Sequence, residues 1–219
     1  MVAVDDCSGL DSVRTPRLPL ASLSGFTAIV AALASLMVIA SGGFSESALR
    51  LGSLVAWRVA FVVFFAMLTA GPLCNLVPFG LCHALGRQRR QLIWSFAAAF
   101  GVYLLSVLVP NLVLPPTQVH EGLTGGMILF VLFAGALVAA MAYAATPHAA
   151  MALGVKAQRA VLAIAATFFW LDYTMTALAR ISGPHRPDLF YGLSLSLMIL
   201  ALLLRFVDRL LFKWKLIGG

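Results

Sequence analysis

Three of the ionisable side chains inside the long apolar runs of this sequence are the first candidates for chemistry. Arg58 lies about two turns into the second run, and Asp172 lies about two turns before the end of the fifth. Charged groups inside a membrane are costly, so they usually pair or serve a function. We predict that Arg58 and Asp172 form an intramembrane polar pair. It is a structural ion pair between two helices or, as the alternative, part of a proton or ion path.

Arg205 is the third of these side chains. It lies near the end of the last apolar run, with Asp208 one turn further along the chain. A long basic side chain near a helix end can extend to the lipid headgroups. We therefore predict that Arg205 lies at the membrane surface.

The histidines and cysteines have no spacing typical of a metal site. Four histidines all fall in predicted loops or at helix ends: His83, His120, His148 and His185. Three cysteines, without a CxxC motif, make an odd set: Cys7, Cys74 and Cys82. We predict no metal site and no disulfide framework. A nucleophile with an adjacent base and a phosphate-binding loop are also missing from the sequence, so no stand-alone catalytic site is expected.

The composition indicates that lipid, not water, is the main solvent of this chain. Hydrophobic residues make up 62% and charged residues 11% of 219 residues, and the mean hydropathy is +0.99. Six spans of about 20 residues each leave little chain for a folded soluble domain. The net charge of +7 comes from residues between the apolar runs, so we predict the lipid bilayer as a partner and nucleic acid as none.

Six apolar runs are each long enough to cross a bilayer. They are Leu20–Ala40, Leu51–Leu73, Gln91–Leu114, Gly126–Ala145, Ala160–Ile181 and Tyr191–Leu211. Turn-forming residues separate them, including Pro72, Pro115-Pro116 and Ser182-Gly183-Pro184. Backbone in lipid must satisfy its own hydrogen bonds, and these runs lack the strict alternation of barrel strands. The sequence predicts an all-α polytopic bundle of six transmembrane helices.

The polar ends and the basic residues set the predicted boundaries and orientation. Residues 1–19 are predicted to be a mobile cytoplasmic tail, residues 20–214 the transmembrane domain, and residues 215–219 a cytoplasmic end. The first run is too long for a secretory signal, so we predict an uncleaved helix. Most basic residues fall on one side of a six-span arrangement, which places both termini in the cytoplasm. The expected location is a bacterial inner membrane.

Four segments of the chain resemble a known family. They are Leu68–Leu73, Arg89–Ala97, Ala144–Pro147 and Leu153–Arg159, and the double arginine that opens the second of them is the most specific feature. In order and type they resemble the ferric reductase-like transmembrane domain family. This family includes the haem-binding membrane subunit of bacterial methionine sulfoxide reductase.

The resemblance implies a six-helix bundle that passes electrons across the membrane through b-type haem. The family's haem-ligating histidines would fall at Phe100 or Tyr103 and near Val161 or Leu162, and its tryptophan is replaced by Gln158. The resemblance therefore implies a scaffold without the usual ligands. We predict no cofactor, and a role as scaffold or subunit of a membrane complex with a protein partner, at most the membrane subunit of an oxidoreductase.

Two alternatives stay open. The first is transmembrane electron transfer through a bound haem b, with the Tyr103 phenolate as a ligand. The second is a transporter of ions or small solutes that uses Arg58 and Asp172, with Tyr103 lining a polar cavity. Transporters often contain internal repeats, and none is evident between residues 20–114 and 126–211.

Overall fold

The structure is a computed structural model that describes residues 20–42, 45–76, 88–113, 125–183 and 188–217. These ranges contain six α-helices and no strand: α1 (Leu20–Gly42), α2 (Glu46–Leu76), α3 (Arg89–Val113), α4 (Gly125–Ala144), α5 (Pro147–Ile181) and α6 (Leu189–Ile217). Each helix contains a stretch that is long and apolar enough to cross a membrane. The predicted all-α bundle is confirmed, and the chain is an integral membrane protein. The predicted tail, residues 1–19, lies outside the described residues.

Several helices extend beyond their predicted apolar runs, and α2 and α5 show why. Pro72 was expected at a break, but α2 continues through it to Leu76. Proline is tolerated in membrane helices because neighbouring groups satisfy the carbonyl that it leaves unpaired. Helix α5 begins at Pro147 rather than near Ala160, because Thr146 caps it: the Thr146 hydroxyl accepts a hydrogen bond from the Ala149 N–H at 3.3 Å.

A kink at Gly154 divides α5 into a short first part and a long second part. Gly154 has φ 76° and ψ 152°, a conformation that L side chains rarely adopt. A Cβ atom added there would meet no other atom within 4 Å. The backbone conformation, rather than crowding, is therefore what requires glycine at this position.

The helices form a ring with one helix outside it. Helices α2, α3, α4, α5 and α6 pack in that order, and α6 returns to α2, while α1 packs against α2 and α3. Helices α1 and α2 lie close together at Gly52, where a Cβ atom would lie 3.0 Å from Ile39 Cγ1. A small residue is thus required at this crossing.

Helices α2 and α6 run parallel to each other. Arg58 of α2 contacts Asp188, which directly precedes α6, and Asn75 of α2 contacts Asp208 within α6. The two contacts follow the same order along both segments. We call the two ends of this interface the Asp188 end and the Asp208 end. In the predicted orientation the Asp208 end faces the cytoplasm.

Candidate functional site

Arg58 is bound to an acid other than the predicted one. Its Nη2 donates a hydrogen bond to Asp188 Oδ2, and its guanidinium lies 4.8 Å from the centre of the Phe190 ring. The two side chains are 35% and 47% exposed, so the pair lies at the rim of the bundle. The predicted partner was Asp172; the structure instead brings α6 beside α2, with the carboxylate of Asp188 at the start of α6.

Asp188 also caps α6. Its Oδ1 accepts a hydrogen bond from the backbone N–H of Phe190 at 3.1 Å. This hydrogen bond, and then the charge of Arg58 and its hydrogen bond, lower the pKa of the Asp188 carboxyl below its ordinary value. Asp188 is therefore a charged residue that begins a helix and holds it to its neighbour.

Asp172 belongs to a different group of side chains. It is half-buried on α5, and its carboxyl lies within electrostatic range of the Tyr103 and Tyr173 hydroxyls. Tyr191 of α6 lies within the same range of Tyr103. We call Tyr103, Asp172, Tyr173 and Tyr191 the tyrosine–aspartate cluster, which draws on α3, α5 and α6.

One buried polar group of this cluster lacks a hydrogen-bond partner among the residues that the structure describes. The Tyr173 side chain is 1% exposed, and no described group pairs with its hydroxyl. Buried polar groups are usually paired. The cluster therefore offers hydrogen-bonding capacity to a polar species that reaches the bundle interior.

An aromatic core fills the bundle beside the cluster. Phe64, Phe96, Phe100 and Phe169, which we call the ring core, are all fully buried. Phe169 lies centrally, with ring centroids 5.1 Å from Phe96 and 4.9 Å from Phe100. Tyr173 joins the ring core to the cluster, at 5.4 Å from Phe64.

The ring core draws three helices together, and it was not predicted from the sequence. The rings of α2 and α3 were missed. Their signal was the helical spacing of Phe61 with Phe64 and of Phe96 with Phe100, which places each pair on one helix face.

One residue of the ring core, Phe100, stands at a position at which the resemblance would place a haem ligand. Phe100 is fully buried and its ring centroid is 5.3 Å from that of Tyr103. Val161 and Leu162 are half-buried hydrocarbon side chains. Among these four residues only Tyr103 carries an atom that can ligate haem iron, and its ring packs against that of Phe100. Haem needs axial donors such as imidazole, thiolate or phenolate, so these residues do not fit that group.

Gln158 stands at the position of the family's tryptophan and has a local role. Its Nε2 donates a hydrogen bond to the Ala144 carbonyl at 2.6 Å, which ties α5 to the end of α4. On the same helix, the Trp170 Nε1–H donates to the Met198 carbonyl of α6 at 3.2 Å. Polar side chains of α5 thus bind backbone carbonyls of both neighbouring helices.

The described histidine lies away from these groups. His148 is exposed and follows Pro147 at the start of α5. His83, His120 and His185 lie outside the described residues, as does Cys82. Within the described ranges no three His, Cys, Asp or Glu residues come together as a metal site would require.

The chain matches no protein-family model, and no curated protein or solved structure is significantly similar to it. The resemblance to ferric reductase-like proteins therefore stays a hypothesis that depends on the four sequence segments alone.

Proposed function

We propose that this protein is a structural subunit of a membrane complex. In this proposal it keeps a ferric reductase-like six-helix arrangement, but Phe100 and the aliphatic residues Val161 and Leu162 stand at positions of the haem ligands. The observation that supports it is the burial of Phe100 against Phe96 and Phe169, at the position of a family haem ligand. The proposed partner is another protein of the same membrane.

The ring core suits such a role because it makes the bundle rigid. Buried aromatic pairs contribute about 1 kcal/mol each beyond the area that they bury. The pairs here connect α2, α3 and α5, so these helices keep one relative arrangement. A rigid bundle offers a partner an interface that need not be ordered on binding.

The first experiment is an absorption spectrum of the protein purified from membranes in mild detergent. We expect no Soret band at a stoichiometric level, and a particle larger than one chain when the native membrane is extracted. A b-type haem membrane protein expressed in the same cells serves as the control for haem supply. A stoichiometric Soret band would favour electron transfer and contradict the proposal, as would a native particle that contains only one chain.

A second candidate function is the transport of protons or small polar solutes, and the tyrosine–aspartate cluster supports it. Arg58, the predicted partner of Asp172, forms an ion pair with Asp188 instead. A carboxyl within a span, beside a buried hydroxyl that lacks a described partner, can exchange a proton with a passing species. The candidate site is then Asp172 with Tyr103 and Tyr173, without Arg58.

Proteoliposomes test this candidate with a matched pair of variants. If the cluster carries transport, Asp172→Asn abolishes proton-driven flux. Asp188→Asn, which also removes one carboxyl but lies outside the cluster, retains it. Flux that is lost in neither variant, or absent from the unaltered protein, would leave the structural proposal alone.

A further inference from the structure

Basic side chains from two helices gather at the Asp208 end of the bundle. Arg89 is the first residue of α3, and Arg205 and Arg209 lie one turn apart on α6. Arg205 lies within electrostatic range of both other arginines. We call Arg89, Arg205 and Arg209 the arginine cluster.

The nearest acid along α6 does not neutralise these charges. The carboxylate of Asp208 accepts a hydrogen bond from Asn75 Nδ2 of α2, with 3.1 Å between Nδ2 and Oδ1. The ion pair between Arg58 and Asp188 lies at the opposite end of the α2–α6 interface and involves none of these three arginines. Like charges one turn apart on a helix repel each other, so an anion bound here would stabilise the arginine cluster.

The sequence around the arginine cluster adds positive charge and little negative charge. Residues 77–90, between the body of α2 and the start of α3, contain three arginines and no acid. Residues 205–219 contain two arginines, two lysines and the single acid Asp208. The excess of positive charge at this end is therefore a property of the chain, beyond the three residues in question.

The depth of the arginine cluster identifies the class of anion. The apolar stretch of α3 begins at Arg89, and that of α6 ends at Leu211, two residues after Arg209. Both positions lie at one boundary of the membrane, where the phosphate groups of lipids lie. The half-buried stem of Arg205 and the exposed side chains of Leu202 and Phe206 lie on the same segment and can contact acyl chains.

We propose that Arg89, Arg205 and Arg209 form a binding site for the phosphate group of an anionic phospholipid at the Asp208 end of α3 and α6. Guanidinium groups bind phosphate oxygens in a bidentate manner. Basic pockets between membrane helices on the cytoplasmic side bind anionic headgroups. The hydrogen bond from Asn75 of α2 supports the site, because it holds the Asp208 carboxylate, which would otherwise compete with the phosphate for the arginines.

The test is a lipid titration of the purified, delipidated full-length protein. Binding is followed by native mass spectrometry and by thermal unfolding, with phosphatidylglycerol, phosphatidylcholine and inorganic phosphate as separate probes. We expect phosphatidylglycerol to bind and stabilise the protein, more strongly at low salt, and phosphatidylcholine to do so much less. Equal binding of the two lipids overturns the proposal. Equal stabilisation by inorganic phosphate reassigns the site to free phosphate and also overturns it.

Two variants and a control locate the site. Arg205→Gln with Arg209→Gln should weaken phosphatidylglycerol binding about tenfold or more, as expected for the loss of two interfacial cations. Arg180→Gln, an exposed arginine at the opposite end of α5, should leave it unchanged. Arg205→Lys with Arg209→Lys keeps the charge and serves if the glutamine variant does not fold; it should bind more weakly than the unaltered protein. Unchanged binding in whichever variant folds contradicts the proposal.

Discussion

The acidic residues at the two ends of the α2–α6 interface have different partners. At the Asp188 end the carboxylate is matched by Arg58, caps its own helix and adjoins a group of aromatic rings. At the Asp208 end the carboxylate contacts a neutral amide, and three arginines lie without an acid partner among the described residues. The contacts at the first end favour stability, whereas the second end keeps a surplus of positive charge, as the proposed lipid site requires.

The largest expected effect is at the Asp188 end, from Trp57→Ala. The Trp57 ring is 5% exposed and lies 5.0 Å from Tyr173 and 5.8 Å from Tyr191, centroid to centroid. Removing a buried aromatic side chain costs about 3 to 5 kcal/mol, so thermal unfolding in detergent, followed by circular dichroism, should shift strongly to lower temperature. Phe206→Ala is the control, since that ring is 58% exposed at the Asp208 end. Equal shifts for both variants would remove the difference between the ends.

Asp188→Ala should have the second largest effect. It removes a helix cap and the partner of Arg58, together worth about 2 kcal/mol once the exposure of the pair is considered. Asp188→Asn keeps the cap and should cost less. If the alanine and asparagine variants unfold at the same temperature, the cap contributes nothing.

The same residue predicts a dependence on pH. The pKa of Asp188 is lowered in the folded protein, by the Phe190 N–H and then by Arg58. Its contribution is therefore complete above the pKa of an unfolded aspartate, about 4. It is lost as the pH falls from there through the lowered value. The stability difference between the unaltered protein and Asp188→Asn should shrink over this acid range and stay constant at neutral pH.

A smaller effect is expected from Gly154→Ala, near the Asp208 end. The positive φ of Gly154 is strained for alanine, at a cost of about 1 kcal/mol. Gly101→Ala on α3 is the matched control, because a Cβ atom there also meets no atom within 4 Å while the backbone is helical. That control should be neutral or slightly stabilising. Equal loss in both variants would show that the kink does not depend on glycine.

The smallest effect on stability is expected from Asn75→Ala. One exposed hydrogen bond to Asp208 is lost, about 0.5 kcal/mol. Asp208 is then free to turn towards Arg205 and Arg209, so phosphatidylglycerol binding should weaken even though the arginines remain. Asn75→Ala with unchanged lipid affinity would mean that the hydrogen bond does not serve the lipid site.

The helices themselves were predictable from hydropathy, and the contacts between them were only partly so. The six apolar runs identify the six helices, because backbone N–H and C=O groups in lipid can form hydrogen bonds only with one another. The start of α5 was missed by more than ten residues: Thr146 and Pro147 form a helix start that hydropathy does not detect. The role of Gln158 was also missed, because its acceptor is a backbone carbonyl of the preceding helix.

By itself the sequence determined that this protein lies in a membrane as helices, and it identified Arg58, Asp172 and the arginines as the polar residues to explain. Only the tertiary structure decided their partners. Depth along a helix is readable from the chain, but two residues at one depth meet only when their helices are neighbours and their faces point together. Here α6 lies beside α2, and Arg58 therefore binds Asp188. Asp172 lies near the tyrosines instead, and Arg89 lies within electrostatic range of Arg205.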